Sequence, residues 1–214
     1  LIPYKTHQYL IEPNAGCQLV TKQASYPLNI FGRHNMQNIS AAKAVCLKLG
    51  VDEPTFYRAI STFKGASKRL QQLSEGASST VFLDFAHSPS KVAATINAVL
   101  EEYPTRKLVA CLELHTYSSL NIRFMSQYHN VFSGVSVPMV YIDPATVEHK
   151  NLPPLDIDEV MAAFGQPAPE VYVSANELAE TLNGMDWENT NLLLMTSGNF
   201  TGLNLSGLAV QVAR

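Results

Sequence analysis

The 214-residue sequence predicts an α/β protein: a doubly wound, mostly parallel sheet over residues 77–214, preceded by a smaller part, 1–76, made of strands, then helices, then a linker. Three observations carry this. From residue 80 onward, strand-like runs alternate with amphipathic helical segments, the pattern of β-α-β units. Those runs are almost continuously apolar (TVFLDFA, KLVACLEL, NLLLMTS), as expected of strands covered by helices on both faces. Before residue 64 the alternation is missing, and short apolar runs precede two consecutive helical segments.

In chain order, QYLIEP, CQLVTK and YPLNIFG read as three strands, the last ending at Gly32. A helix is expected from about Asn38 to Leu49, because Ala42, Val45, Cys46 and Leu49 recur at helical spacing and Gly50 suits the stop. DEPTFYRAISTF reads as a second helix, with Asp52 as N-cap, Pro54 in the first turn and Phe56, Ile60 and Phe63 on its apolar side. The polar, basic stretch KGASKRLQQLSEGASS, residues 64–79, reads as a connector. Beyond it the expected strands are TVFLDFA, KLVACLEL, VPMVYI, EVYVS and NLLLMTS. The expected helices are SPSKVAATINAVLEEY (Val92, Ile96, Val99 and Tyr103 on one face), NIRFMSQYHNVF, DIDEVMAAFG, ANELAETLNGM and GLNLSGLAVQVA.

Composition narrows the function. The net charge is −3 with no run of Lys or Arg, so nothing marks a nucleic-acid surface. No apolar stretch reaches the ~20 residues of a membrane span. Cys17, Cys46 and Cys111 are far apart and show no CxxC spacing, which fits reduced, buried thiols in a cytosolic protein. The start, LIPYKTHQYL, reads neither as a signal peptide nor as a native beginning, so a fragment of a longer chain is expected.

In an open parallel sheet, ligands bind beyond the carboxyl ends of the strands. DFAHSPS puts Asp84 and His87 at one strand end; a carboxylate there could take two sugar hydroxyls or serve as a turn residue beside a capping Ser. ELHTYSSLN brings Glu113, His115 and Tyr117 to a second, and TSGNFTG brings Ser197, Gly198 and Asn199 to a third. In the connector, Lys68 and Arg69 could meet a phosphate or simply be solvated. In GRHNMQNISAAKAVCLKLG, His34, Asn35 and Asn38 exceed what a helix start needs. There is no GxxxxGK[ST], GxGxxG, zinc-ligand spacing or nucleophile elbow, so a nucleotide's phosphates would be cradled outside this chain.

GRHNMQNISAA resembles the GxHNxxNxxAA signature of the Mur ligase family, FKGASKRLQ its FxGxxRRxQ segment and LDFAHSPS its D-(Y/F)-A-H-x-P motif, in the family's order. The resemblance covers the end of a central ATPase domain and a whole C-terminal Rossmann-like domain. It implies ATP and Mg²⁺ as cofactors, the metal held mainly by the missing part of the chain. Asn35 and Asn38, with His34, would bind adenine; Lys68 would join the nucleotide site; Arg69 would contact ATP phosphate or an acyl phosphate; Asp84 would hold the ribose; and His87 would line the reacting centre. His115, Tyr117, Ser119 and Asn199 would face the incoming peptide. The implied substrates are UDP-N-acetylmuramate and a murein tripeptide, in a cytoplasmic enzyme. HTYSSL stands where the family's alanine-adding branch has HRYTRT, so Thr116 and Ser119 replace two arginines and the peptide-recycling branch is favoured. The KR pair also departs from the family's usual RR, so Arg69 is the position that carries over cleanly. Without a phosphate cradle the chain is expected to be inactive alone, to bind ATP weakly and to self-associate through exposed apolar surface. The alternatives are another family enzyme, alanine-adding or folylpolyglutamate synthetase-like, and a nucleotide-binding module without activity.

Overall fold

The computed structural model describes residues 2–12 and 16–213, so Pro13, the end of the first expected strand, lies outside the described residues. The chain divides into two units: residues 2–66 with 97–104, and residues 67–96 with 105–213.

The first unit contains an antiparallel meander of β1 (Tyr9–Glu12), β2 (Gly16–Val20) and β3 (Ser25–Pro27), in the order β1-β2-β3. Strand alternation turns Cys17 and Leu19 to one side of β2, where they are buried. YPLNIFG is strand only at its first residues. Helix α1 runs Arg33–Lys48, five residues earlier than the sequence predicts, and α2 runs Glu53–Ser61. His34, Asn35 and Asn38 therefore lie inside the first turns of α1. The N-cap is Gly32, at φ +89°, with no side-chain cap. Asn35 instead donates from Nδ2 to the Phe31 carbonyl at 2.8 Å. The apolar residues at helical spacing are not the buried ones: Val45 is 58% and Leu49 78% exposed, and α1 buries Met36 and Ile39. Asp52 caps α2 as expected, accepting from Thr55 N at 2.8 Å. Phe56 is buried, but its partner is Tyr57 while Phe63 is exposed. Tyr57 stacks on Tyr26 and accepts from Lys43 Nζ, which also pairs with Glu53 at 3.0 Å, so the two helices are tied together.

The second unit is a six-stranded sheet of β4 (Gln71–Glu75), β5 (Thr80–Asp84), β6 (Lys107–Glu113), β7 (Val137–Tyr141), β8 (Glu170–Tyr172) and β9 (Thr190–Met195), in the order β4-β5-β9-β6-β7-β8. Only β4, antiparallel to β5, breaks the parallel set. It corrects the connector reading: residues 71–75 form an edge strand, polar because its side chains are only partly covered. The α/β, mostly parallel class is as the sequence predicts. Helix α3 (Pro89–Glu102) follows β5, and β6 skips the place that β9 fills last. Val81, Leu83, Val109, Cys111, Leu192 and Leu194 face one layer, packing on α7 (Ala175–Gly184) and α8 (Leu205–Val212). The alternate residues Phe82, Leu108, Ala110, Leu112 and Leu193 are equally buried on the other.

Two local readings change. NIRFMSQYHNVF yields only α4 (Ile122–Met125) and a single 3₁₀ turn, Ser126–Tyr128. Tyr128 and Phe132 both stack on Phe164, which bends the chain round that ring, and Asn130 takes the left-handed backbone at φ +60°. Helix α5 (Pro144–His149), capped by Asp143, was not anticipated; α6 is Ile157–Phe164.

Candidate functional site at the strand ends

Strands β5, β9, β6 and β7 are parallel, so their carboxyl ends open on one edge of the second unit. Two of those ends carry buried carboxylates. Asp84, 5% exposed, accepts from Leu70 N at 2.5 Å on Oδ2 and from Ala86 N at 2.7 Å on Oδ1, with the Thr95 hydroxyl at 3.3 Å. Burying a charge demands such partners. Their effect is to seat residues 68–70, where Lys68 and Leu70 hold left-handed backbone at φ +52° and +48°. Phe85 N donates to the Lys68 carbonyl at 2.8 Å and closes the same clamp.

Glu113, 2% exposed, does the equivalent for the loop after β9. Its Oε2 accepts from the Thr196 hydroxyl and from Phe200 N at 3.1 Å, and Gly198 N donates to Thr196 Oγ1 at 2.6 Å. The two clamps meet at Gly198, whose carbonyl accepts from Lys68 Nζ at 2.9 Å. Lys68, anticipated as a nucleotide contact, thus has one of its three donors committed to the protein. Arg69 is exposed, with its guanidinium 5.2 Å from the Phe85 ring centroid.

His87 is half-buried: its Nδ1 lies 2.8 Å from the Phe85 carbonyl and its own carbonyl accepts from Tyr128 Oη. His115 is also half-buried, and its Nδ1 is shielded from solvent with no hydrogen-bond partner among the described residues, as is Ser197 Oγ. Tyr117 is 62% exposed, with Lys150 Nζ 4.4 Å from its ring centroid. Asn199 is exposed and accepts from Thr201 Oγ1 at 2.8 Å. Ser119, expected to face a peptide, departs from that reading. It is 1% exposed and its hydroxyl closes a turn with Thr116, accepting from Thr116 N at 3.0 Å and donating to Thr116 O at 3.1 Å.

The second unit therefore gathers Lys68, Asp84, His87, His115 and Asn199 on one sheet edge, with Tyr117 on the loop beyond β6. On α1 in the first unit, Asn38 lies four residues after His34 and three after Asn35 and so neighbours both, while His34 and Asn35 point about 100° apart. Thr196 was missed in the sequence; its only signal was a hydroxyl directly after the last apolar run. Among the described residues, no group of three or more His, Cys, Asp or Glu could hold a metal ion, and no helix is long and apolar enough to cross a membrane.

No family model matches the chain. Over 184 residues, 82% of the chain, it is 32% identical to the UDP-N-acetylmuramate–L-alanine ligase of Halorhodospira halophila, and it spans 37% of that relative. Its fold matches the UDP-N-acetylmuramate–alanine ligase of Thermotoga maritima with TM-score 0.64 and 18% identity, covering 92% of this chain and 41% of that one. It also matches a murein peptide ligase of Psychrobacter arcticus with TM-score 0.59 and 19% identity, covering 98% and 44%.

Proposed function

We propose, the chain belonging to the Mur ligase family, that it supplies the adenosine contacts and the acceptor-side domain of an ATP-dependent amide ligase acting on UDP-N-acetylmuramate. The observation that carries this is the strand-end edge, where two buried carboxylates fix a cationic segment, Lys68–Arg69, beside half-buried His87 and His115. The side-chain set suits a nucleotide: two cations for phosphate, and Asp84, beyond its Leu70, Ala86 and Thr95 donors, is the group we assign to the ribose hydroxyls. His34, Asn35 and Asn38 would hold the base.

In the proposed reaction the muramoyl carboxylate attacks the γ-phosphate, forming an acyl phosphate. The acceptor amine then attacks the acyl carbon and phosphate leaves. The protein's part is positioning and charge neutralisation rather than covalent chemistry. Arg69, exposed and braced on Phe85, is the group we assign to the phosphoryl oxygens, and His87 lines the same centre. His115, Tyr117 and Asn199 are assigned to the acceptor; Ser119 supports their loop from behind. As the family resemblance implies, we assign Mg²⁺ mainly to the part of the enzyme beyond this chain. Without a GxxxxGK[ST] segment, this chain alone should not turn over and should bind ATP weakly. We place the enzyme in the cytoplasm, and we assign self-association of the isolated chain to the exposed apolar face of α1.

For the acceptor we favour the murein tripeptide, as in UDP-N-acetylmuramate:L-alanyl-γ-D-glutamyl-meso-diaminopimelate ligase, because Thr116 and Ser119 stand in place of two arginines. Free L-alanine is the second reading, favoured by the name of the curated relative. Phosphate release by the whole enzyme, given UDP-N-acetylmuramate and either acceptor, decides between them. Turnover with L-alanine alone rejects the tripeptide reading; turnover with neither rejects the ligase.

A further inference from the structure

We infer that Glu113 is a positioning residue: one buried carboxylate oxygen brackets the loop after β9 and, through Gly198, sets where Lys68 and the acceptor stand. The inference rests on the reading of this edge as the acceptor side.

Glu113 ends β6, the strand beside β9. Its Oε2 takes the Thr196 hydroxyl at the start of the loop and the Phe200 amide at its end, so residues 197–199 are held from both sides by one atom. Thr196 relays the hold inward, its Oγ1 accepting from Gly198 N at 2.6 Å. The Gly198 carbonyl then fixes Lys68 Nζ at 2.9 Å. Space is tight enough to dictate residue 198. A Cβ there would stand 2.8 Å from Glu113 Oε2 and 2.9 Å from His115 Nδ1. Phe200, fully buried, anchors the far end of the loop against Tyr141, with ring centroids 6.1 Å apart. The carboxylate accepts here, and its geometry asks for no proton transfer. An amide oxygen in the same place should therefore serve nearly as well.

The test uses the whole enzyme with Glu113→Ala, Glu113→Gln and Thr196→Val, read by amide hydrogen exchange and by steady-state kinetics. Glu113→Ala should speed exchange at Gly198 and Phe200 about tenfold or more, because both amides lose their anchor. It should also raise the acceptor KM about tenfold while the KM for UDP-N-acetylmuramate stays within about twofold. Glu113→Gln should stay within about threefold of wild type on both readouts, with an unchanged pH profile. Thr196→Val, informative even if Glu113→Ala does not fold, should free Gly198 and leave Phe200 protected. Unchanged exchange in Glu113→Ala overturns the inference, as does unchanged Gly198 exchange in Thr196→Val. Glu113→Gln falling as far as Glu113→Ala overturns it too, since the charge or a proton would then be what matters. Faster exchange with an unmoved acceptor KM upholds the bracket and removes this edge from the acceptor site, which rejects the proposed function there.

Discussion

Asp84 illustrates how one buried side chain can fasten the backbone around it. Its oxygens collect the Leu70 and Ala86 amides, so Asp84→Ala strands two donors in a 5%-exposed setting and should cost about 3 kcal/mol in urea unfolding of the second unit. Asp84→Asn keeps one acceptor and should cost less. Gly198→Ala should destabilise by about 1–3 kcal/mol, because the added methyl meets Glu113 and His115 below van der Waals distance. Glu102, half-buried near the end of α3, makes a pH prediction. Burial above all, then the neighbouring Glu101, lifts its carboxyl from 4.5 to about 7. The unfolded chain ionises near 4.5 while the folded one keeps its proton to about 7, so stability falls as pH rises through that interval and levels off above it. With allowance for solvent screening, Glu102→Gln should raise the melting transition at pH 8 by the equivalent of about 1 kcal/mol and change little at pH 4. At this scale the sequence announced identities rather than partners. Asp84 and His87 were legible as strand-end residues, but nothing in DFAHSPS says that the aspartate reaches back to Leu70 fourteen positions earlier. Likewise, HTYSSL does not disclose that Ser119 folds onto Thr116.

Among the elements, the doubly covered strands were the most legible, because burial on both faces writes an unbroken apolar run. β4 was hidden for the opposite reason: an edge strand with partly exposed side chains looks like linker. The expected α4 failed because helical spacing of apolar residues is also what a chain wrapping round Phe164 requires. In α1, periodicity located the helix but did not show its buried side. Ala42, Val45, Cys46 and Leu49 have the right spacing, yet Met36 and Ile39 carry the packing. In this chain, Val45→Lys and Leu49→Lys should each alter stability by less than about 0.5 kcal/mol. In sedimentation they should reduce any self-association.

For the molecule as a whole, the two compact units part between residues 66 and 67, and the Asp84 clamp and β4 tie the second half of the connector stretch into the second unit. Limited trypsin digestion should therefore cut after exposed Lys64 and spare Lys68 and Arg69, a pattern that mass spectrometry of the fragments would read directly. Cleavage at 68 or 69 as early as at 64 would contradict the clamp. The backbone of 68–70, turned left-handed twice and fastened to β5, leaves these two positive charges no independent itinerary. The roots of both cationic side chains are thus set by the sheet rather than by a loose tether.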